Sequence, residues 1–532
     1  MTKRSFTPRW LAVAVAVAAA IGAGGPAEAA SASAPALQLK ACRLKGVEHE
    51  ALCGVLRRPL DPARADGPLI DVHVAVLPAV ARNKKPDPVL FFAGGPGQSA
   101  IGLAGPMARM FQRFLNRRDV ILIDQRGTGR SAPLVCEPEL PTRPVAEALD
   151  PARQQRVLAE CREALQKLPH GDLRHYTTTI AMADADAVRQ ALGVTQVNVI
   201  GGSYGTRAAL EYMRQFPGSV RRAVIDGVAP PDMALPGSFS PDAQRAFDAL
   251  LAACEAAEGD ASCRQRYPGL RAKWHAVLAA LPREVSVNHP VTGREERFQL
   301  TREMLVGLVR APLYAPALAS ALPFAIHEAA VGRYDPIIGL ATALSSGGRG
   351  MELATGMHFS VVCAEDMPRL GLTGDKPGHD FGEAALKLYR DTCSAWPKGA
   401  VPAAFYSVPP AKAPVLVMSG GDDPVTPPRH GERVAKALGA QARHVVVPHA
   451  GHGTMALGCL RDVVFRFVDQ EDGAAALNGV QADAACAAQV PRALAFALPA
   501  PAASSAPPPP PPPAPPPRRR GPDDAPSSKA DR

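Results

Sequence analysis

The chain has 532 residues, of which 47% are hydrophobic, 5% aromatic and 20% charged, so apolar content is ample for a large globular core. Its formal net charge of +9 divides into +2 from residues 1–29, +2 from residues 499–532 and +5 from the 469 residues between. That is too dilute for a nucleic-acid-binding face, and the composition excludes collagen-like, coiled-coil and multi-span membrane classes.

Lys3, Arg4 and Arg9 precede the apolar run Leu11 to Ala20 and the small-residue site Ala27-Glu28-Ala29, the layout of a secretory signal peptide. A bilayer span needs roughly 20 apolar residues, and Gly22 to Pro26 cut this run short. Export to the periplasm or the outside is therefore expected, with no stable membrane span once residues 1–29 are removed. An even set of ten cysteines behind such a signal favours disulfides. No C-x-x-C occurs, which removes zinc and thioredoxin-like readings, and no metal or other cofactor is expected. Neighbours in sequence close the shortest loops. That predicts Cys42 with Cys53, Cys136 with Cys161, Cys254 with Cys263, Cys363 with Cys393, and Cys459 with Cys486, although sequence alone leaves connectivity open.

Leu69 to Leu77 alternates like a half-buried strand, while Val89 to Phe92 and Val120 to Ile123 are fully apolar like buried parallel strands. Ile180 to Leu192 has helical spacing closed by Gly193. A strand at Val197 to Ile200 follows, then a helix at Thr206 to Phe216 and a strand at Ala223 to Ile225. From about 233 to 405 the pattern is helical or irregular, with no strong strand. Alternation resumes with Val415 to Met418, His444 to Val447 and a helix from about Leu457 to Val468. The expectation is an α/β fold with a mainly parallel central sheet, helices on both faces and an inserted, mainly helical segment. Residues 30–232 and 406–498 would be the two parts of the core and 233–405 the insertion. Residues 499–532, with 14 of the 55 prolines, would be a disordered tail.

Gly201-Gly202-Ser203-Tyr204-Gly205 lies between a strand and a helix, the context a nucleophile elbow requires, so Ser203 is the candidate nucleophile. A serine hydroxyl needs a base and the base needs an orienting carboxylate, expected in the chain order Ser, Asp, His. Asp423, held by Pro424 just past a strand end, is preferred to Asp422 as the acid. His452, framed by Gly451 and Gly453, is preferred to His449 as the base, while His430 and His444 read as surface or strand positions. Ala93-Gly94-Gly95-Pro96-Gly97 follows a buried strand. Gly94 or Gly95 can supply one oxyanion donor, with the N–H of Tyr204 as the other. Gly95-Pro96-Gly97-Gln98-Ser99-Ala100 also fits a dinucleotide fingerprint, but Pro96 removes a phosphate-facing donor and an ordered Ser, Asp, His set stands elsewhere.

These motifs, with Asp124-Gln125-Arg126-Gly127-Thr128-Gly129-Arg130-Ser131, Asp423-Pro424-Val425-Thr426-Pro427 and Gly451-His452-Gly453, give a chain that resembles the α/β-hydrolase family of proline iminopeptidases. It is more closely similar to the secreted tripeptidyl-aminopeptidase-like serine peptidases, over roughly residues 40–490. The resemblance implies an α/β-hydrolase fold with the insertion as a cap, and a peptide substrate with a free amino terminus. It also implies acidic cap groups that bind that terminus, with Glu365 and Asp366 as the possible counterparts. Asp124 and Arg126 would brace the loop after their strand. The iminopeptidase pattern has a histidine before the first glycine pair where this chain has Ala93, so that support for the oxyanion loop is absent. A carboxylic-ester hydrolase would use the same triad, and a non-catalytic binding protein on this scaffold is the reading from another class.

Overall fold

The computed structural model describes residues 37–498 except 65, 137–139, 257–258 and 347–352; the expected signal segment 1–29 and the Pro-rich tail 499–532 lie outside the described residues. Eleven strands are formed: β1 (Lys40–Cys42), β2 (Ala51–Pro59), β3 (Leu69–Leu77), β4 (Val89–Phe92), β5 (Val120–Ile123), β6 (Val197–Gly202), β7 (Val220–Asp226), β8 (Arg283–Asn288), β9 (Glu295–Leu300), β10 (Val415–Gly420) and β11 (Ala442–Val447). Nine make one sheet in the order β1-β2-β3-β5-β4-β6-β7-β10-β11. The first three strands and the β3–β5 pair are antiparallel, and from β5 to β11 every neighbour is parallel.

The apolar runs are buried because both sheet faces are covered. Leu90, Phe92, Val197, Val199, Val415 and Val417 enter one core with the helices Thr178–Ala191 and Tyr204–Gln215. Their alternates Val89, Phe91, Ile200, Leu416 and Met418 enter a second core with the helix Leu460–Asp469. Opposite pleats thus meet opposite helix layers. This is the mainly parallel sheet with helices on both faces that the strand and helix alternation predicts.

Between β7 and β10 the chain builds a third apolar core around Phe247, Trp274, Leu305, Ile326 and Tyr334. The expectation that this stretch lacks a strong strand is corrected: β8 and β9 form an antiparallel hairpin. Its strands read REVSVN and EERFQL, and only one face is buried, so the apolar signal is half that of a core strand. All ten cysteines pair with their sequence neighbours. No described helix is long and apolar enough to cross a membrane.

Candidate active site

Ser203 stands between β6 and the helix Tyr204–Gln215 with φ +56° and ψ −125°, a left-handed conformation that costs a non-glycine residue energy and marks functional turns. The turn is feasible because its flanks lack side chains. A Cβ on Gly205 would lie 2.1 Å from the Phe92 carbonyl oxygen, and one on Gly201 would lie 2.2 Å from that of Gly205. The Ser203 N–H donates to the Asp226 carbonyl (2.9 Å), which ties the elbow to the end of β7.

Asp423 follows β10 and is fully buried. Its Oδ1 accepts from the N–H of Val425 (2.8 Å) and Thr426 (2.9 Å); its Oδ2 accepts from Thr426 Oγ1 (2.8 Å) and meets His452 Nδ1 at 2.8 Å. Burial alone would raise this carboxyl, but His452 and those donors outweigh it and hold the pKa at about 2. The His452 imidazole is likewise penalised by burial, yet Asp423 and Asp226 raise its pKa above 6.5 against an opposing Arg310. An oriented, more basic imidazole beside a permanently ionised carboxylate is the arrangement that takes a proton from a hydroxyl. Asp422 turns away and meets Arg492 at 3.4 Å. The His449 ring has no partner at Nδ1 among the described residues.

Gly94 faces the elbow closely enough that a Cβ there would sit 3.2 Å from that of Ser203. Tyr204 is the first residue of its helix, so its N–H has no intrahelical acceptor and points from the helix N-terminus. The glycine loop pairs with the chain's own segment at Leu353 and Ala354, whose N–H donates to the Gly97 carbonyl at 2.9 Å. Asp124 accepts from Ser99 Oγ (2.5 Å) and the N–H of Ile101 and Arg130, while Arg126 reaches Asp184 at 2.7 Å. Both brace loops rather than face the serine.

Two expectations are corrected. Glu365 and Asp366 do not form a site open to a substrate ammonium: both are fully buried at the end of the helix Thr355–Glu365, against Arg207. Arg207 makes two 2.9 Å bonds to Asp366, whose Oδ1 also accepts from Leu235 N–H (3.0 Å). Glu365 accepts from Thr178 N–H (2.6 Å) and Oγ1 (3.0 Å). Burial pushes the Glu365 carboxyl up to about 7 despite the pull of Arg207 and Thr178. His430, read as a surface position, is buried with Nε2 3.2 Å from Asp242, because its helix packs it inward against the insertion.

Sequence reasoning missed three residues that hold the site. Asp226 Oδ2 accepts from the N–H of Thr454 (2.6 Å) and Met455 (2.7 Å), and Oδ1 meets Thr454 Oγ1 at 2.9 Å, fastening the loop that carries His452. An acid at a parallel strand's carboxyl end was the available signal. Tyr314, from the insertion, accepts the His452 N–H at 2.9 Å and lays its ring edge-on to the imidazole, centroids 5.3 Å apart. Gly451 has no side chain because a Cβ there would come within 2.5 Å of that same carbonyl oxygen. His358 places Nδ1 3.2 Å from the Pro96 carbonyl and Nε2 2.7 Å from Tyr389 Oη. Nothing local in the sequence marks Tyr314 or His358.

Residues 87–253 match the family model described as alpha/beta hydrolase fold, and residues 379–475 match the one described as TAP-like protein. Serine protease Hip1 of Mycobacterium tuberculosis is 26% identical over 420 residues, 73% of this chain and 79% of that protein. Tripeptidyl aminopeptidase of Streptomyces lividans is 30% identical over 191 residues, 34% of this chain and 35% of that protein. Proline iminopeptidase of Xylella fastidiosa is 37% identical over 79 residues, 15% of this chain and 25% of that protein. The chain therefore has an α/β-hydrolase fold and is similar to serine hydrolases and peptidases, TAP-like proteins among them.

Proposed function

We propose that the protein is an exported serine aminopeptidase that releases residues or short peptides from the free amino terminus of a peptide through an acyl-enzyme. The observation that carries the reading is a strained Ser203 at one parallel strand end and an Asp423–His452 pair on the loops after β10 and β11 of the same sheet. In this mechanism Ser203 Oγ attacks the scissile carbonyl and gives its proton to His452 Nε2. The N–H groups of Tyr204 and Gly95, or Gly94, receive the oxyanion, and His452 then protonates the leaving amine. Water repeats the cycle to free the acyl group. Ser203 Oγ makes no hydrogen bond among the described residues, so its link to His452 forms with substrate in place, as is common in unliganded sites.

Residues 233–405 serve as a cap in this reading, and Tyr314 and Arg245 bring that segment against both triad loops: Arg245 donates to the carbonyls of Gly421 (3.1 Å) and Asp423 (2.7 Å). Five disulfides and the amino-terminal segment, with Lys3, Arg4 and Arg9 ahead of an apolar run, support export. A carboxylic-ester hydrolase is the second reading, favoured by one observation: Glu365 and Asp366 are committed to Arg207 and Thr178, so the expected ammonium site is not built from them. A fluorophosphonate probe should label Ser203. Matched free and acetylated aminoacyl and tripeptidyl fluorogenic amides, with short-chain esters alongside, then divide the two readings. Cleavage of free amides alone supports the aminopeptidase; equal cleavage of blocked and free amides defeats it, and activity confined to esters leaves the esterase.

A further inference from the structure

Arg310 closes the helix Arg302–Arg310 four residues before Tyr314. Its guanidinium stacks 4.3 Å over the Phe239 ring and 5.8 Å from the Tyr314 ring, and Nη2 donates to Tyr314 Oη at 3.3 Å. Tyr314 in turn clamps His452 by carbonyl and by ring. Arg118, Arg126, Arg207 and Arg429 each meet an aspartate. Arg310 meets no carboxylate among the described residues. Its Nε is buried without a hydrogen-bond partner, and Nη1 forms no hydrogen bond. A guanidinium placed over the Phe239 ring and beside Tyr314, with its Nε and Nη1 donors unspent among the described residues, is prepared for a planar anion.

The side of the site it serves follows from the reaction. His452 must pass its proton to the departing group, so that group leaves along the imidazole. The acyl part lies instead toward Gly94 and Tyr204. Arg310 stands beyond the His452–Tyr314 pair, close enough that its charge opposes protonation of the imidazole. We propose that Arg310 is a specificity-determining residue that receives a carboxylate on the leaving group. For a peptide this is the free α-carboxylate of the departing amino acid or short peptide. The inference rests on the acyl-transfer reading above and adds a substrate class: small peptides ionised at both ends, or esters whose alcohol portion carries an acid.

The test compares leaving groups that differ only in charge. One pair is a set of unblocked peptides ending in a free carboxylate or in the carboxamide, cleaved at the last bond. The other is the acetate esters of 4-hydroxybenzoate and 4-hydroxybenzamide. Rates are taken per fluorophosphonate-titrated site, so misfolded molecules do not count. The wild type should prefer the carboxylate, and in Arg310→Gln the ratio of the two kcat/KM values should fall about tenfold. Arg310→Lys, which keeps the charge but loses the flat fork, should retain part of the preference. If Arg310→Gln leaves the ratio within about twofold of wild type on every pair that is turned over, the proposal is overturned. Should only the esters react, the aminopeptidase reading fails while the ester ratio still decides the role of Arg310.

Discussion

His452 and its two carboxylates set the expected pH behaviour. The base must be neutral to act, and Asp423 and Asp226 raise its pKa above 6.5, so kcat/KM should climb with pH through a midpoint above 6.5. A pH–rate profile on an uncharged substrate reads it. Ser203→Ala, His452→Ala and Asp423→Asn should each cost about four to six orders of magnitude in kcat without adding, because the three act as one proton-transfer unit. Asp422→Asn, which loses only a half-exposed contact to Arg492, should stay near wild type. Asp226 separates shape from charge in a second test. In Asp226→Asn the amide oxygen can accept from Thr454 and Met455 N–H while its NH2 group donates to Thr454 Oγ1, so the loop stays fastened. In Asp226→Ala two buried N–H groups lose their acceptor, at about 1–3 kcal/mol each. The alanine variant should therefore melt lower and turn over more slowly than the asparagine variant; equal stabilities by denaturant titration would show that Asp226 does not hold the loop.

The oxyanion loop depends on a helix about 260 residues further along the chain. His358 bridges the Pro96 carbonyl and the Tyr389 hydroxyl, and Ala354 N–H holds the Gly97 carbonyl. The insertion thus holds the glycine loop at two carbonyls. His358→Leu should lower kcat more than it raises KM, by about one to two orders of magnitude, since donor position matters most in the transition state. His358→Asn, which keeps a donor near the Nδ1 position, should recover part of the loss. A His358→Leu enzyme with normal kcat would show the loop to be self-supporting. The same long range explains what was legible in the sequence. β4 and β5 carry full apolar runs and β3 alternates, so all three were readable to the residue. The elbow and the Asp423 and His452 loops follow strands directly, so chain order exposed them. β1 and β2 gave no signal, because the edge strand β1 is three residues long and the exposed flank of β2 carries Arg57. Glu365 and Asp366 misled because a local acidic pair looks solvated, and only the tertiary fold brings Arg207 to meet it.

At the scale of the whole molecule, the insertion is joined to the core both by apolar packing, in which Met357, Phe359, Val361 and Trp396 share a buried cluster with Leu90, Val197 and Tyr204, and by polar ties. Arg207 meets Asp366, Arg429 meets Asp242, Arg245 meets the carbonyl of Asp423, and Tyr314 receives the His452 N–H. The last described segment adds a strap. Arg492 meets Asp422, Ala495 N–H donates to Asp260 (2.8 Å), Phe496 N–H donates to the Ser320 carbonyl (2.9 Å), and Tyr267 Oη donates to the Phe496 carbonyl (2.6 Å). Phe496 also packs edge-on to Phe324, ring centroids 5.5 Å apart. The strap therefore runs from the loop of Asp422 and Asp423 to the insertion. Three hydrogen bonds at about 1 kcal/mol each put its worth near 3 kcal/mol, a large fraction of ordinary domain stability. A chain ended after Val490 should melt several degrees below one ended after Leu498, which isolates the strap from the residues beyond it. Because the strap also fastens Asp260, Tyr267 and Ser320 of the insertion, the shorter chain should lose turnover as well at temperatures where it is still folded. Both chains carry the same core and disulfides, so equal melting temperatures and equal kcat would remove the strap from the account of how the insertion is held.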